Sequence, residues 1–116
     1  MSRSNINDAQ LNSVIVNGLK AMTGVMTLTG DITWDLDYGT VVAVDPGGAP
    51  RVVTLPAASE ANEGAMFFII NVADAAEDLT INNPAASTIG TFSQNEMGVI
   101  VNIRGTWYAR VVGLST

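Results

Sequence analysis

Arg51–Ile70 reads RVVTLPAASEANEGAMFFII. A β-branched run ends at Leu55-Pro56, and because proline has no amide hydrogen to give to a sheet, the strand stops there or lies at an edge. A polar loop leads to Gly64. Met66-Phe67-Phe68-Ile69-Ile70 then follows with no polar residue to mark an outside. Side chains alternate across a strand, so Met66, Phe68, Ile70 and Val72 share one face while Phe67 and Ile69 share the other. Both faces want cover, as in a strand held between layers. A second sheet of the same chain can supply one layer. The other can come from a loop, from the N-terminal segment or from a neighbouring subunit.

The same rhythm of short apolar runs and breaks extends to both sides of this stretch. VMTLTGDITWDL (25–36) alternates, breaks at Gly30-Asp31 and resumes, which predicts a strand, a turn and a strand. TVVAV (40–44) closes at DPGGAP (45–50) before RVVTL (51–55), which predicts a hairpin over Val41–Leu55. Downstream, LTINNPAASTIGTF (79–92) splits at Asn82-Asn83-Pro84, and MGVIVNI-RG-TWYARVVGL (97–114) predicts a second hairpin with Gly105 at positive φ. Turn signals every 8 to 12 residues or so are the spacing of a sandwich or barrel. The expected fold is all-β: a single antiparallel β-sandwich or barrel-like, jelly-roll-like domain over residues 23–116.

Residues 1–22 read differently. Leu11, Val14, Ile15, Leu19 and Met22 fall at helical spacing after a cap at Asn7-Asp8. Val14-Ile15-Val16 is β-branched, however, and Gly18 interrupts the pattern. The segment is expected to be either a frayed end or short strand, or an N-terminal arm or short helix that orders against a partner.

Composition excludes more than it specifies. The chain has 116 residues, 47% hydrophobic and only 14% charged, with a formal net charge of −6 and five basic residues. This is too apolar for disorder and long enough to bury one core. It has no cysteine and no histidine, which removes thiolate metal sites, disulfides and the commonest general base. A thin, acidic charge disfavours contact with phosphate backbones, so no nucleic-acid partner is expected. No apolar run reaches the roughly 18 residues of a membrane span, and MSRSNINDAQ (1–10) is not a signal peptide. The chain is expected to be soluble and unprocessed, with no membrane partner.

Candidate chemistry is sparse. Asp31, Asp35 and Asp37 near Trp34 and Tyr38 suggest an oxygen-ligand cation site or a sugar-binding face, but calcium-loop spacing is missing and a solvated strand end with turn-forming aspartates is the preferred reading. Asp74, Glu77 and Asp78 read as a solvated loop, although paired carboxylates in a cleft can hydrolyse glycosides. A hydroxyl nucleophile would need Lys20, the only lysine, or the α-amine as its base. No catalytic, cofactor-binding or metal residue is assigned, and no enzyme activity is expected. The candidate functional residues are instead the apolar ones that want cover from a subunit or a surface: Leu11, Val14, Ile15, Met66, Phe67, Phe68, Ile69, Ile70, Trp107 and Tyr108.

The order VTLPAAS, EG, FFIINVADAAEDLTI and TIGTFSQNEMGVIVNIRGTWYAR, over about residues 41–112, resembles a β-rich module of tailed-bacteriophage virion proteins, found in capsid decoration (cement) proteins, head fibres and some tail fibres. In that pattern a Leu-Pro ends one strand, a glycine precedes an apolar F-x-I-x-N strand, an L-T-I strand follows and a G-T-W-Y turn lies near the end. The resemblance implies a non-enzymatic virion component on the capsid exterior, made in the host cytoplasm. Such a component is often a homotrimer that contacts the major capsid protein and holds capsomers together. A short chain with its own start favours decoration protein over fibre. A carbohydrate-binding module or fibre tip, marked by an exposed platform of Trp34, Tyr38, Trp107 or Tyr108, is the rival reading; a small hydrolase using paired acids is another.

Overall fold

Short branched runs with every second residue directed inward build the described part of the molecule. A computed structural model describes residues 21–59 and 63–112. Their strands are β1 (Ala21–Thr27), β2 (Ile32–Thr33), β3 (Val41–Asp45), β4 (Arg51–Thr54), β5 (Met66–Asn71), β6 (Leu79–Asn82), β7 (Thr88–Phe92), β8 (Met97–Ile103) and β9 (Thr106–Val112). The only helical element among the described residues is a 3₁₀ turn at Leu36–Tyr38, capped by the Asp35 side chain.

The strands form two mixed sheets, of order β1-β3-β5-β8-β9 and β2-β4-β6-β7. Up to β6 the chain alternates between them, so each winding lays one strand on each sheet, parallel to the strand of the winding before. β1, β3 and β5 pair in parallel, as do β2, β4 and β6. After β6 the chain turns back: β7 is antiparallel to β6, β8 to β5, and β9 to β8. Links between sheets are stitched in the same sense, with the Leu28 amide donating to Asp45 O (2.8 Å), Trp34 to Thr54 O (2.8 Å) and Leu55 to Asn82 O (2.9 Å).

The expectation of two layers of strands around one core is met, but the expected antiparallel arrangement is not. The hairpin over Val41–Leu55 does not form, because β3 and β4 lie in different sheets. Pro46 and Pro50 flank the link, deny it two amide donors and hold the residues before them extended, so the chain turns a corner. Gly47, at φ 80°, is the tight point of that corner. A Cβ there would stand 2.0 Å from Leu28 O of the previous winding, so only glycine fits. The two later turns match expectation: β6 and β7 pair across Asn83-Pro84, and β8 and β9 across Arg104-Gly105. The proposed arm and its residues Leu11, Val14 and Ile15 lie outside the described residues, and β1 already begins at Ala21.

Inward side chains from both sheets make one core, including Leu28, Trp34, Val42, Val44, Val53, Leu55, Phe67, Ile69, Leu79, Ile81, Phe92, Ile100 and Trp107. Fully burying a residue such as Phe92 contributes about 1.5–3 kcal/mol. Phe92 enters from β7 and takes the space that a side chain at Gly98 on β8 would fill, since a Cβ there would meet the ring at 2.4 Å. The fully buried Asn71 ties the reversal to the windings: its Nδ2 donates to Glu77 O (2.8 Å) and Phe92 O (2.9 Å), and its Oδ1 accepts from the Ala73 amide (3.0 Å).

Candidate functional site

Because strands alternate, the residues of the five-stranded sheet that do not enter the core make one outer face. Register places them in rows across the strands: Val25, Ala43, Ile70, Met97 and Val112 in one; Val41, Phe68, Val99 and Arg110 in the next; Met66, Val101 and Tyr108 beyond; then Ile103 and Thr106. The first row spans all five strands without a polar group. Val25 (55%), Met66 (49%), Ile103 (47%), Tyr108 (55%) and Val112 (50%) are about half in water, and the residues among them are partly exposed.

The outer face of the four-stranded sheet is an internal comparison. Thr33, Thr54, Asn82 and Thr88 form one row there, and Val52, Thr80 and Thr91 another. Thr88 Oγ1 donates to Asn82 Oδ1 at 2.9 Å, a cross-strand polar pair suited to water. One chain thus makes one outer face mainly from hydroxyls and amides, with Val52 among them, and the other mainly from Val, Ile, Met and Phe, with Arg110, Tyr108 and Thr106 on β9.

The expected site residues divide between the faces. Met66, Phe68, Ile70 and Tyr108 stand on the apolar outer face. Phe67, Ile69 and Trp107 do not: they are buried in the core, and the Trp107 indole donates to Pro56 O at 2.8 Å, so no partner can use them. Val25, Val41, Ala43, Met97, Val99, Val101, Ile103 and Val112 complete its apolar part and were not among the candidates. Their alternation is visible in the sequence; their adjacency depends on the strand order.

The aspartates expected to cluster do not converge. Asp31 Oδ1 accepts from the Val52 amide (2.8 Å), and Asp35 Oδ1 from the Asp37 amide (2.8 Å). Asp35 and Asp37 do line an open cleft of about 490 Å³ with Trp34, Tyr38 and Pro56. Trp34 is 2% exposed, stacked on Phe67 (5.1 Å, 7°) and edge-on to Tyr38 (4.8 Å), so it offers no flat platform to a sugar. Its indole N–H is buried without a hydrogen-bond partner. A second cleft, of about 420 Å³, is lined by Ala57, Ala58, Asn83, Pro84 and Trp107 among others, and none of its lining groups is titratable.

The acidic group that does form is one the sequence did not assemble. Asp45, at the outer margin of β3, meets Asp74 and Glu77, with a carboxylate oxygen from each within 4.8 Å of the others. Glu77 was expected in a solvated loop; it is buried and accepts the Gly48 amide at 3.2 Å. Three carboxylates at this spacing are the hard-oxygen donors that a divalent cation takes.

Compared with known protein families and with curated proteins, the chain matches none of them.

Proposed function

We propose that the protein is a structural virion component that binds the outer surface of a tailed-bacteriophage capsid as an oligomer, a homotrimer in the form expected from the sequence, and stabilises the shell. The observation that carries this reading is the apolar outer face of the five-stranded sheet. Contiguous exposed apolar patches beyond a few hundred Å² mark association surfaces in soluble proteins. The opposite face, where threonine and asparagine surround the single valine Val52, is a polar sheet face made by the same chain. The sequence resemblance over residues 41–112 covers β3 to β9, the strands that build most of this face.

Function on this reading is physical. Each copy buries apolar area at about 25 cal/mol per Å² before the costs of association, and many modest contacts with the major capsid protein add up over a closed shell. The net charge of −6 suits an exterior position, away from packaged nucleic acid. The rival glycan-binding reading loses the two tryptophans of its platform, since Trp34 and Trp107 are both buried, and keeps Tyr108, which is exposed. The test is addition of the purified protein to shells stripped of it: heat resistance should rise with occupancy. Shells that bind no protein, or bind it and melt unchanged, would remove the proposal.

A further inference from the structure

We infer that the cleft between the 3₁₀ turn and Pro56 binds an arginine side chain presented by a protein partner, with the Asp35 and Asp37 carboxylates taking the guanidinium and the Trp34 indole N–H taking a carbonyl of the same peptide. The cleft is built from other residues than the apolar outer face, and its ligand does not depend on the shell reading.

Three observations meet in this cleft. The first is an unmet donor. Trp34 Nε1 is the one buried side-chain nitrogen or oxygen among the described residues without a hydrogen-bond partner, and Trp34 forms part of the cleft wall. The other tryptophan, Trp107, gives its indole N–H to Pro56 O at 2.8 Å. Buried polar groups in native folds are paired, so the Trp34 donor calls for an acceptor that the chain alone does not supply. The ring is held in place by Phe67, stacked at 5.1 Å, and by Tyr38, edge-on at 4.8 Å. Tyr38 is the part of this wall able to give way to a ligand, being partly exposed on a turn of three residues.

The second is charge. Asp35 and Asp37 are exposed at the cleft, and the bond from the Asp37 amide to Asp35 Oδ1 (2.8 Å) keeps both on one short turn. No described cation lines the cleft; Arg51, for one, donates to Pro46 O instead. The third is lining. The cleft measures about 490 Å³, within the range of small-ligand sites, and beside the carboxylates it presents Trp34, Leu36, Tyr38 and Pro56. A guanidinium suits this mixture, because it is planar and weakly hydrated, lies against aromatic and apolar groups, and gives parallel N–H bonds to carboxylates. An ammonium is more strongly hydrated, and a sugar would need the aromatic face that Trp34 turns to Phe67.

The test is an NMR titration of the full chain with Nα-acetyl-arginine-N-methylamide. Two tryptophans give two indole N–H signals, which backbone assignment tells apart. The Trp34 signal should move downfield as its hydrogen bond forms, together with the amides of Asp35 and Asp37, while the Trp107 signal holds. The citrulline analogue has the same shape without the charge and should bind about tenfold more weakly or worse. Asp35→Asn keeps an oxygen for the Asp37 amide, so it removes charge and spares the cap. Asp35→Asn and Asp37→Asn should each weaken binding about fivefold or more. Asp78→Asn, the same change of charge at an exposed position outside the cleft, should leave it unchanged. Urea unfolding checks that each variant is folded. A spectrum that the arginine compound leaves unaltered overturns the inference, as does a Trp34 signal that stays in place while the compound binds. Equal binding of the citrulline analogue, or of Asp35→Asn and Asp37→Asn, also overturns it. Weakening by Asp78→Asn to the same extent would mean attraction to net charge only, and methyl α-glucoside moving the Trp34 signal where arginine does not would make the cleft a sugar site; either result sinks the proposal.

Discussion

Gly47 and Gly48 are adjacent, both at positive φ, and the fold assigns them very different tolerances. In a β3–β4 hairpin, each would cost only the strain of a left-handed residue when changed to alanine. In the observed corner, an alanine Cβ at position 47 stands 2.0 Å from Leu28 O and 3.2 Å from Leu28 C, whereas at position 48 it meets nothing within 4 Å. Leu28 cannot easily retreat, because its amide is bonded to Asp45 O at 2.8 Å and holds the two windings in register. Gly48→Ala should therefore cost about 1–3 kcal/mol in backbone strain alone. Gly47→Ala adds a clash with main chain to similar strain, another ~2–3 kcal/mol, because more than an ångström of backbone movement is needed. The difference, about 2 kcal/mol or more, is read by equilibrium urea unfolding at one fixed protein concentration. In thermal melts it corresponds to roughly 8 °C or more, at about 4–8 °C per kcal/mol for a domain of this size. Equal losses in the two variants would refute the stacked corner and restore the hairpin.

Other expectations follow from the interior. Gly98→Ala should destabilise by about 1–3 kcal/mol through overpacking against Phe92, and combining it with Phe92→Leu should cost less than the sum of the single losses, a coupling measurable by a double-mutant cycle. Relief should be partial, since Arg110 O also lies 2.7 Å from the added carbon. Asn71→Ala should cost about 2–4 kcal/mol in urea unfolding, because it orphans the buried carbonyls of Glu77 and Phe92 and the amide of Ala73, and Asn71→Leu should be no better. Glu77→Gln keeps an oxygen for the Gly48 amide and removes one of three close negative charges. Like charges at this spacing repel by about 1 kcal/mol in bulk water and by up to about 4 kcal/mol beside protein, so the variant should melt higher than wild type in low salt and lose part of that advantage as salt is added.

Strand positions were legible because alternation and turn chemistry are local. TVVAV, LTIN and MGVIVNI carry their inward residues at every second place, and Pro56, Asn83-Pro84 and Arg104-Gly105 end or turn them where the sequence indicates. Pairing was not legible, because alternation says which face a residue takes and says nothing of which strand lies beside it. Both a hairpin and a winding satisfy the pattern of Val42, Val44, Val53 and Leu55 pointing inward. What separates them is the stitching of Leu28 to Asp45 and of Leu55 to Asn82, contacts between residues 17 and 27 apart. The acidic group escaped for the same reason: Asp45 comes to Asp74 and Glu77 only once β3 and β5 are parallel neighbours.

The apolar run at Met66–Ile70 takes a sharper meaning from the parallel pairing. Parallel strands normally belong to sheets covered on both faces, which is why they read as continuous hydrophobic runs. β3 and β5 have that composition and that pairing, with VVAV beside FFII. β4 and β6 are parallel too, yet RVVT and LTIN place Thr54, Thr80 and Asn82 outward beside the one apolar residue Val52. Parallel geometry therefore does not by itself demand apolar residues on an outer face, and the difference between the sheets must come from what each face meets. The core accounts for Phe67 and Ile69. It does not account for Met66, Phe68 and Ile70, nor for Val25, Val99, Val101 and Val112 beside them, all of which a sheet turned to water could replace with threonine as the other sheet does. An exposed face of low charge and high β-propensity is an aggregation hazard, so on the proposed reading its persistence across five strands reflects the association surface that the function requires.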